Sequence, residues 1–215
     1  MPSETPLQGD VVVLDYRCDA APHDAPFVEV HERFSISYVR RGSFGCHTQG
    51  RQFDLVAGGF LLGSPGDEFT CSHDHHVGGD ECLSIQLNPD IADSLPGPLS
   101  AWRVGGLPPL GVLSLAGEFV QRVAAGGTEF GLDEAALWLT SRFLLLGADA
   151  HGNAAPVASR LRRAMMEAAD WIEDRSAEDV DLATAARAAG FSGHHATSAP
   201  GPSPTAARGA EIAGG

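Results

Sequence analysis

The chain has 215 residues, long enough for one large domain or two small ones with a real core. Its formal net charge of −14, with 14 basic residues that are all Arg, excludes a whole-surface nucleic-acid binder, although a small local basic patch is compatible with it. The first ten residues, MPSETPLQGD, hold neither a basic n-region nor an apolar segment, and no apolar run approaches the ~18–20 residues needed to span a bilayer. The expectation is a cytoplasmic chain without a membrane partner, whose four cysteines are free thiols or metal ligands rather than disulfides.

The first half has the composition of strands. Segments 11–17, 27–31, 34–42, 43–50, 51–55, 58–66 and 82–87 are short, rich in β-branched or aromatic residues, and punctuated by Gly or Pro. In FSISYV, Phe34, Ile36 and Tyr38 alternate with Ser35, Ser37 and Val39, the period of a half-buried strand. Strands this short and evenly spaced indicate a sandwich or barrel.

Between these strands lies CSHDHHVGGDEC, Cys71 to Cys82, which packs three of the nine histidines and two of the four cysteines into one stretch. If 71–76 is extended, Cys71, His73 and His75 share one face and Ser72, Asp74 and His76 the other. Positions two apart lie ~7 Å from each other and positions four apart ~13 Å, so Cys71 and His75 cannot share an ion without a bend. His73 and His75 with Cys82 or Cys46, or Cys71 and His73 with Cys82, would suit Zn²⁺; the histidine pair with Asp74 or Glu81 would suit non-haem iron. A polar loop tip has the same composition, and effector contact without a metal is a third reading. Arg40, ahead of the hairpin, could face a carboxylate effector, although charges there are commonly only solvated.

The second half changes period. Segments 111–126 and 132–150 carry helical spacing, and between Arg160 and Arg175 the residues Leu161, Met165, Ala168 and Ile172 make one apolar stripe. An Ala- and Gly-rich linker precedes that helix, over 151–159. In VDLATAARAAGFSGHH, Asp181 is an N-cap, Leu182, Ala185, Ala186 and Ala189 form a short apolar face, Gly190 ends the helix and Ser192 caps another, which is a helix-turn-helix pattern. After His195 the pattern stops. Residues 196–215 contain three prolines, four glycines and one large aliphatic residue, Ile212, and are expected to be disordered. Phosphate-cradling loops, nucleophile elbows and a readable Ser-His-Asp arrangement are all missing, so no catalytic residue is assigned.

Two separated segments resemble the same family. RFSISYVRRGSFGCHTQGRQFDLVAGGFLLGSPGDEF resembles the cupin-type sensor domain of AraC/XylS-family transcription regulators, through Tyr38-Val39, Gly42, Gly50, and Gly59 to Pro65-Gly66. LRRAMMEAADWIEDRSAEDVDLATAARAAGFSGHH is similar to that family's linker helix and first helix-turn-helix. The resemblance covers roughly residues 10–195 and implies an α+β protein. A cupin-like antiparallel β-barrel, with two dimerisation-type helices over 1–150, is followed by a truncated helix-turn-helix over 160–195. It also implies a homodimer, a small-molecule effector in the barrel, and DNA contacts near Ser192, His194 and His195. Arg40 and His47 are the effector-binding candidates, and Cys71, His73, His75 and Cys82 the metal candidates, for Zn or another transition metal. In cupin enzymes a His-x-His follows a Gly early in the barrel, whereas here the equivalent hairpin offers only Cys46 and His47. A metal-dependent cupin enzyme is therefore the alternative rather than the first reading. Family members continue the recognition helix and add a second helix-turn-helix. The switch after His195 implies a truncated or frameshifted regulator with impaired DNA binding, since one incomplete unit lacks the paired contacts and phosphate clamps that give affinity.

Overall fold

The computed structural model describes residues 9–22, 24–73, 78–146, 159–188 and 190. In chain order these form β1 (Val11–Cys18), β2 (Phe27–Val30), β3 (Phe34–Thr48), β4 (Arg51–Val56), β5 (Phe60–Gly63), β6 (Glu68–Ser72) and β7 (Asp80–Leu87). A short helix α1 (Pro89–Ser94), a 3₁₀ turn at Leu99–Val104 and the brief β8 (Gly106–Leu107) follow. The chain then turns helical, with α2 (Gly111–Ala124), α3 (Leu132–Leu146), α4 (Ser159–Asp174) and α5 (Leu182–Ala188).

β3 is the spine of the strand region. Its first half pairs with β7 and β5, its second half with β4 and β6, all antiparallel. One sheet runs β1-β7-β3-β5-β8 and the other joins β2 and β4 through β6 and β3. The two segments expected to part at Gly42 are thus one 15-residue strand. A register shift between Val39 and Arg41 and a left-handed φ of 72° at Gly42 bend it from one sheet into the other. Only Gly takes that φ without strain, and a Cβ there would also sit 2.3 Å from the Gly79 carbonyl oxygen.

Strand alternation sorts the residues into two cores. Between the sheets lie Val39, Phe44, Cys46, Leu55, Leu61, Cys71 and Cys82, flanked by Tyr16, Phe27, Phe53 and Phe69. On the far side of the first sheet, Ile36, Tyr38, Phe60, Leu62, Leu83, Ile85 and Leu87 pack against Trp102 and the buried faces of α2 and α3. Each fully buried Leu, Ile or Phe contributes about 1.5–3 kcal/mol, so this second core is what fastens the helical layer to the sheet. The serines of FSISYV face the barrel interior, where Ser35 is also buried and Ser37 donates to Ser84 at 3.0 Å. Both faces of that strand are covered, where the alternation alone predicts one.

α4 departs from its expected packing. The stripe of Leu161, Met165 and Ile172 is exposed at 44%, 52% and 43%, while Met166 is buried and the barrel side carries Arg162, Asp170 and Glu173. The cause is the partner: β3 and β4 offer polar groups there, the Gly42 N–H, Ser43 and Asp54. The expected linker over 151–159 lies almost wholly outside the described residues, as does the 196–215 tail.

Candidate functional site

One end of the barrel interior gathers chemistry from four strands. The β1–β7 register sets Cys18 opposite Asp80 and Tyr16 opposite Cys82, and Asp80 and Cys82, two apart, share a face. β6 brings Cys71 opposite Cys46 of β3 and hands the chain on to His73. His73 and Asp80 are 3% and 7% exposed. His73 Nε2 lies 3.1 Å from Asp80 Oδ2, and the Cys82 thiol donates to Asp80 Oδ1 at 3.5 Å. Ligand atoms of Cys18, His73 and Asp80 all fall within 4.8 Å of one another. The four cysteines are free.

The electrostatics of this end run one way. Burial pushes the Cys18 thiol up, with the carboxylates of Asp80, Glu29 and Asp19 adding to it and a backbone hydrogen bond at Ala20 opposing. Burial raises Cys82 well above the ordinary thiol value, Asp80 raises it further, and Arg40 opposes them. Cys71 is raised by its hydrogen bond with Cys46 and then by burial. Glu29 is raised by burial and by Asp80, and Tyr16 by burial and by Glu29. Every one of these groups resists negative charge because it is buried and has carboxylates beside it. The carboxylates favour an added cation, whereas burial penalises a charge of either sign.

Of the residues expected at a metal site, Cys71, His73 and Cys82 are buried at this end, and His75, with Asp74, falls outside the described residues. The structure adds Cys18 and Asp80, which sequence reasoning passed over. Asp80 stood two residues before Cys82 on an expected strand, and that spacing was its signal. Cys18 carried none, because its neighbour comes from the non-local β1–β7 pairing. The two effector candidates stand apart from the cluster. Arg40 is ion-paired with Asp15 and, at 3.4 Å, with Glu81. His47, next to buried Cys46 on β3, is exposed on the opposite face of the strand. Ser192, His194 and His195 lie outside the described residues.

A second group of contacts joins the barrel to α4. Both Glu173 carboxylate oxygens accept the Gly42 N–H at 3.0 Å, Ser43 Oγ donates to Asp170 Oδ1 at 3.2 Å, and Arg162 Nε pairs with Asp54 Oδ2 at 2.7 Å. Burial raises the Asp170 carboxyl, the Ser43 hydroxyl lowers it, and Asp174 and Glu167 raise it again. A cleft of about 190 Å³ lies along this seam, between Gly42, Val56 and Ala57 on one side and Ala169, Asp170, Ile172 and Glu173 on the other. Beyond α4, Asp181 caps α5 by accepting the Thr184 N–H at 2.8 Å, which lowers its own carboxyl pKa, and Gly190 follows with φ 75°. Gly42 is also the β3 register partner of Asp80, so the anchor of α4 neighbours the cysteine–histidine cluster.

No family model matches the sequence, and no curated protein matches it. Similar solved structures include the AraC-like transcriptional activator CuxR, at 13% identity over 86% of this chain and 68% of that chain, with a TM-score of 0.46. ToxT from Vibrio cholerae O395 is 10% identical over 87% of this chain and 72% of its own, with a TM-score of 0.45. A cupin protein from Bacteroides fragilis is 23% identical over 42% of this chain and 73% of its own, with a TM-score of 0.32. All three superpositions are loose. Among the described residues, no helix is long and apolar enough to cross a membrane.

Proposed function

We propose that this chain is a one-component transcription regulator of the AraC/XylS type, in which the barrel senses a small effector or metal and α4 with α5 begins the DNA-contacting unit. One observation carries the reading. The helix leading into the capped α5 is clamped by Glu173, Asp170 and Arg162 to the bend of β3 and to β4. A barrel whose central strand holds a helix-turn segment can pass a change in its interior to that segment, provided the ligand binds one arrangement better than the other. The capping of α5 by Asp181 and the left-handed Gly190 support a helix-turn-helix beginning there.

The outer face of α2 and α3, with Val112, Leu115 and Trp138 exposed at 64%, 72% and 43%, is the surface for a homodimer, and the cytoplasm is the compartment this role needs. DNA affinity of this chain is weak in our reading. Residues 196–215 are rich in Pro, Ala and Gly, a composition that supplies few phosphate or base contacts, and a net charge of −14 opposes nonspecific phosphate contacts. The alternative of a metal-dependent cupin enzyme is disfavoured by burial, since the His73 and Asp80 side chains are 3% and 5% exposed and leave a substrate little room to reach them.

Sequencing the encoding DNA past the codon for His195, and translating all three frames, tests the regulator reading. It predicts that another frame resumes with a basic, aromatic helix and a second helix-turn-helix. Three frames without that pattern would overturn it.

A further inference from the structure

We infer that Cys18, His73 and Asp80 form a three-ligand site for a thiophilic divalent cation of the zinc class. The inference rests on the regulator reading only in giving that cation the role of effector.

The three side chains come from the end of β1, the residue after β6 and the start of β7, and their ligand atoms converge to within 4.8 Å. Tetrahedral zinc, with bonds of ~2.0–2.3 Å, sets its ligand atoms ~3.3–3.8 Å apart, so a contraction of about 1 Å closes the set. Half-buried Cys18, at the end of its strand, is the residue with freedom to supply it. His73 and Asp80 are held already. Both are more than nine-tenths buried, and the Cys82 thiol on Asp80 Oδ1 leaves Oδ2 turned to the imidazole at 3.1 Å. Cys82 is therefore an outer partner that orients the carboxylate rather than a fourth ligand. Cys71 is engaged with Cys46 and stays outside the set.

The donor set chooses the ion. One thiolate, one imidazole and one carboxylate suit Zn²⁺ or Co²⁺, whereas Mg²⁺ and Ca²⁺ take oxygen ligands. On binding the Cys18 thiol proton passes to solvent, and the imidazole of His73 ligates through Nε2 with its own proton on Nδ1. Three protein ligands leave one coordination position, which a water molecule fills. The site also lies one β-ladder step from the α4 anchor, since Asp80 pairs with Gly42, whose N–H Glu173 holds.

Cobalt(II) titrated into the reduced full chain is the test. One equivalent produces a thiolate-to-cobalt charge-transfer band in the near ultraviolet and the visible bands of a tetrahedral centre. Cys18→Ser removes the charge-transfer band and weakens binding by ~100-fold or more. Asp80→Asn, with its fold checked by circular dichroism, weakens binding comparably and keeps the thiolate band at saturation. His47→Ala, on the outer face, changes neither. Cobalt uptake without the charge-transfer band, or a band that survives Cys18→Ser, overturns the assignment. The two readings fail separately. A cobalt site in a chain whose encoding DNA resumes no helix-turn-helix would leave the site standing and remove its effector role. A resumed pattern with no cobalt band would remove the site alone.

Discussion

Glu173, in the last turn of α4, accepts the backbone N–H of Gly42 on both carboxylate oxygens, each at 3.0 Å. Gly42 is at once the bend of β3, the ladder partner of Asp80 and the anchor of the helix that leads to α5. Three structural roles meet at one residue without a side chain.

Gly42→Ala is therefore expected to destabilise the barrel and the helix together. A Cβ at 2.3 Å from the Gly79 carbonyl oxygen forces backbone apart at a φ that Ala resists, and the combined cost is on the order of 2–4 kcal/mol. Thermal unfolding followed separately by barrel and helix signals checks this. A variant with unchanged stability would show that the bend relaxes without strain.

Gly117→Ala in α2 should also destabilise, against the usual helix trend. Ala gains ~1 kcal/mol over Gly in a helix interior, but its Cβ would lie 2.6 Å from the buried Tyr38 ring. Overpacking of that kind costs about 1–3 kcal/mol and wins, because the ring is pinned by Phe60 and by its hydroxyl on Glu118 at 2.5 Å. A melting temperature lower by a few degrees is the expected result.

His31 makes stability depend on pH in a defined window. Its ring stacks on Phe69, Nδ1 meets Ser35 Oγ at 2.7 Å, and Nε2 is buried without a hydrogen-bond partner among the described residues. Burial lowers its pKa from 6.5 to about 4, with Asp67 opposing the shift. The unfolded chain takes up a proton below about pH 6.5 that the folded chain refuses until about pH 4, so stability falls as pH falls through that window. The loss approaches about 3 kcal/mol and levels off below it. His31→Phe, which keeps the ring stack, should show a flatter stability profile between those limits; an unchanged slope would assign the dependence to other groups.

Local patterns were legible in the sequence wherever they carried the structure. The strand at FSISYV, the Gly and Pro punctuation of β4 and β5, and the Asp181 cap of α5 all correspond to what forms. Two things escaped because they depend on partners far along the chain. Cys18 meets Asp80 only through the β1–β7 pairing, and the hydrophobic stripe of α4 pointed to Leu161, Met165 and Ile172 while the docking face is polar. α1, the 3₁₀ turn with buried Trp102, and β8 also went unread, since each is too short to show a period. Gly63 is a further case: its missing Cβ, which would fall 2.0 Å from the His31 ring, is what admits the imidazole.

Amide hydrogen exchange of α4 in Glu173→Ala tests the central claim, that the barrel holds the helix leading to the proposed DNA-contacting segment. Loss of a charge-assisted pair of hydrogen bonds costs about 1.5 kcal/mol, or roughly tenfold in exchange. The account predicts acceleration of that order across residues 162–174, with β1 and β7 unchanged. Exchange in α4 identical to the unmodified protein would show that the helix stands without the barrel, and the proposed link from sensor to helix-turn-helix would fall with it.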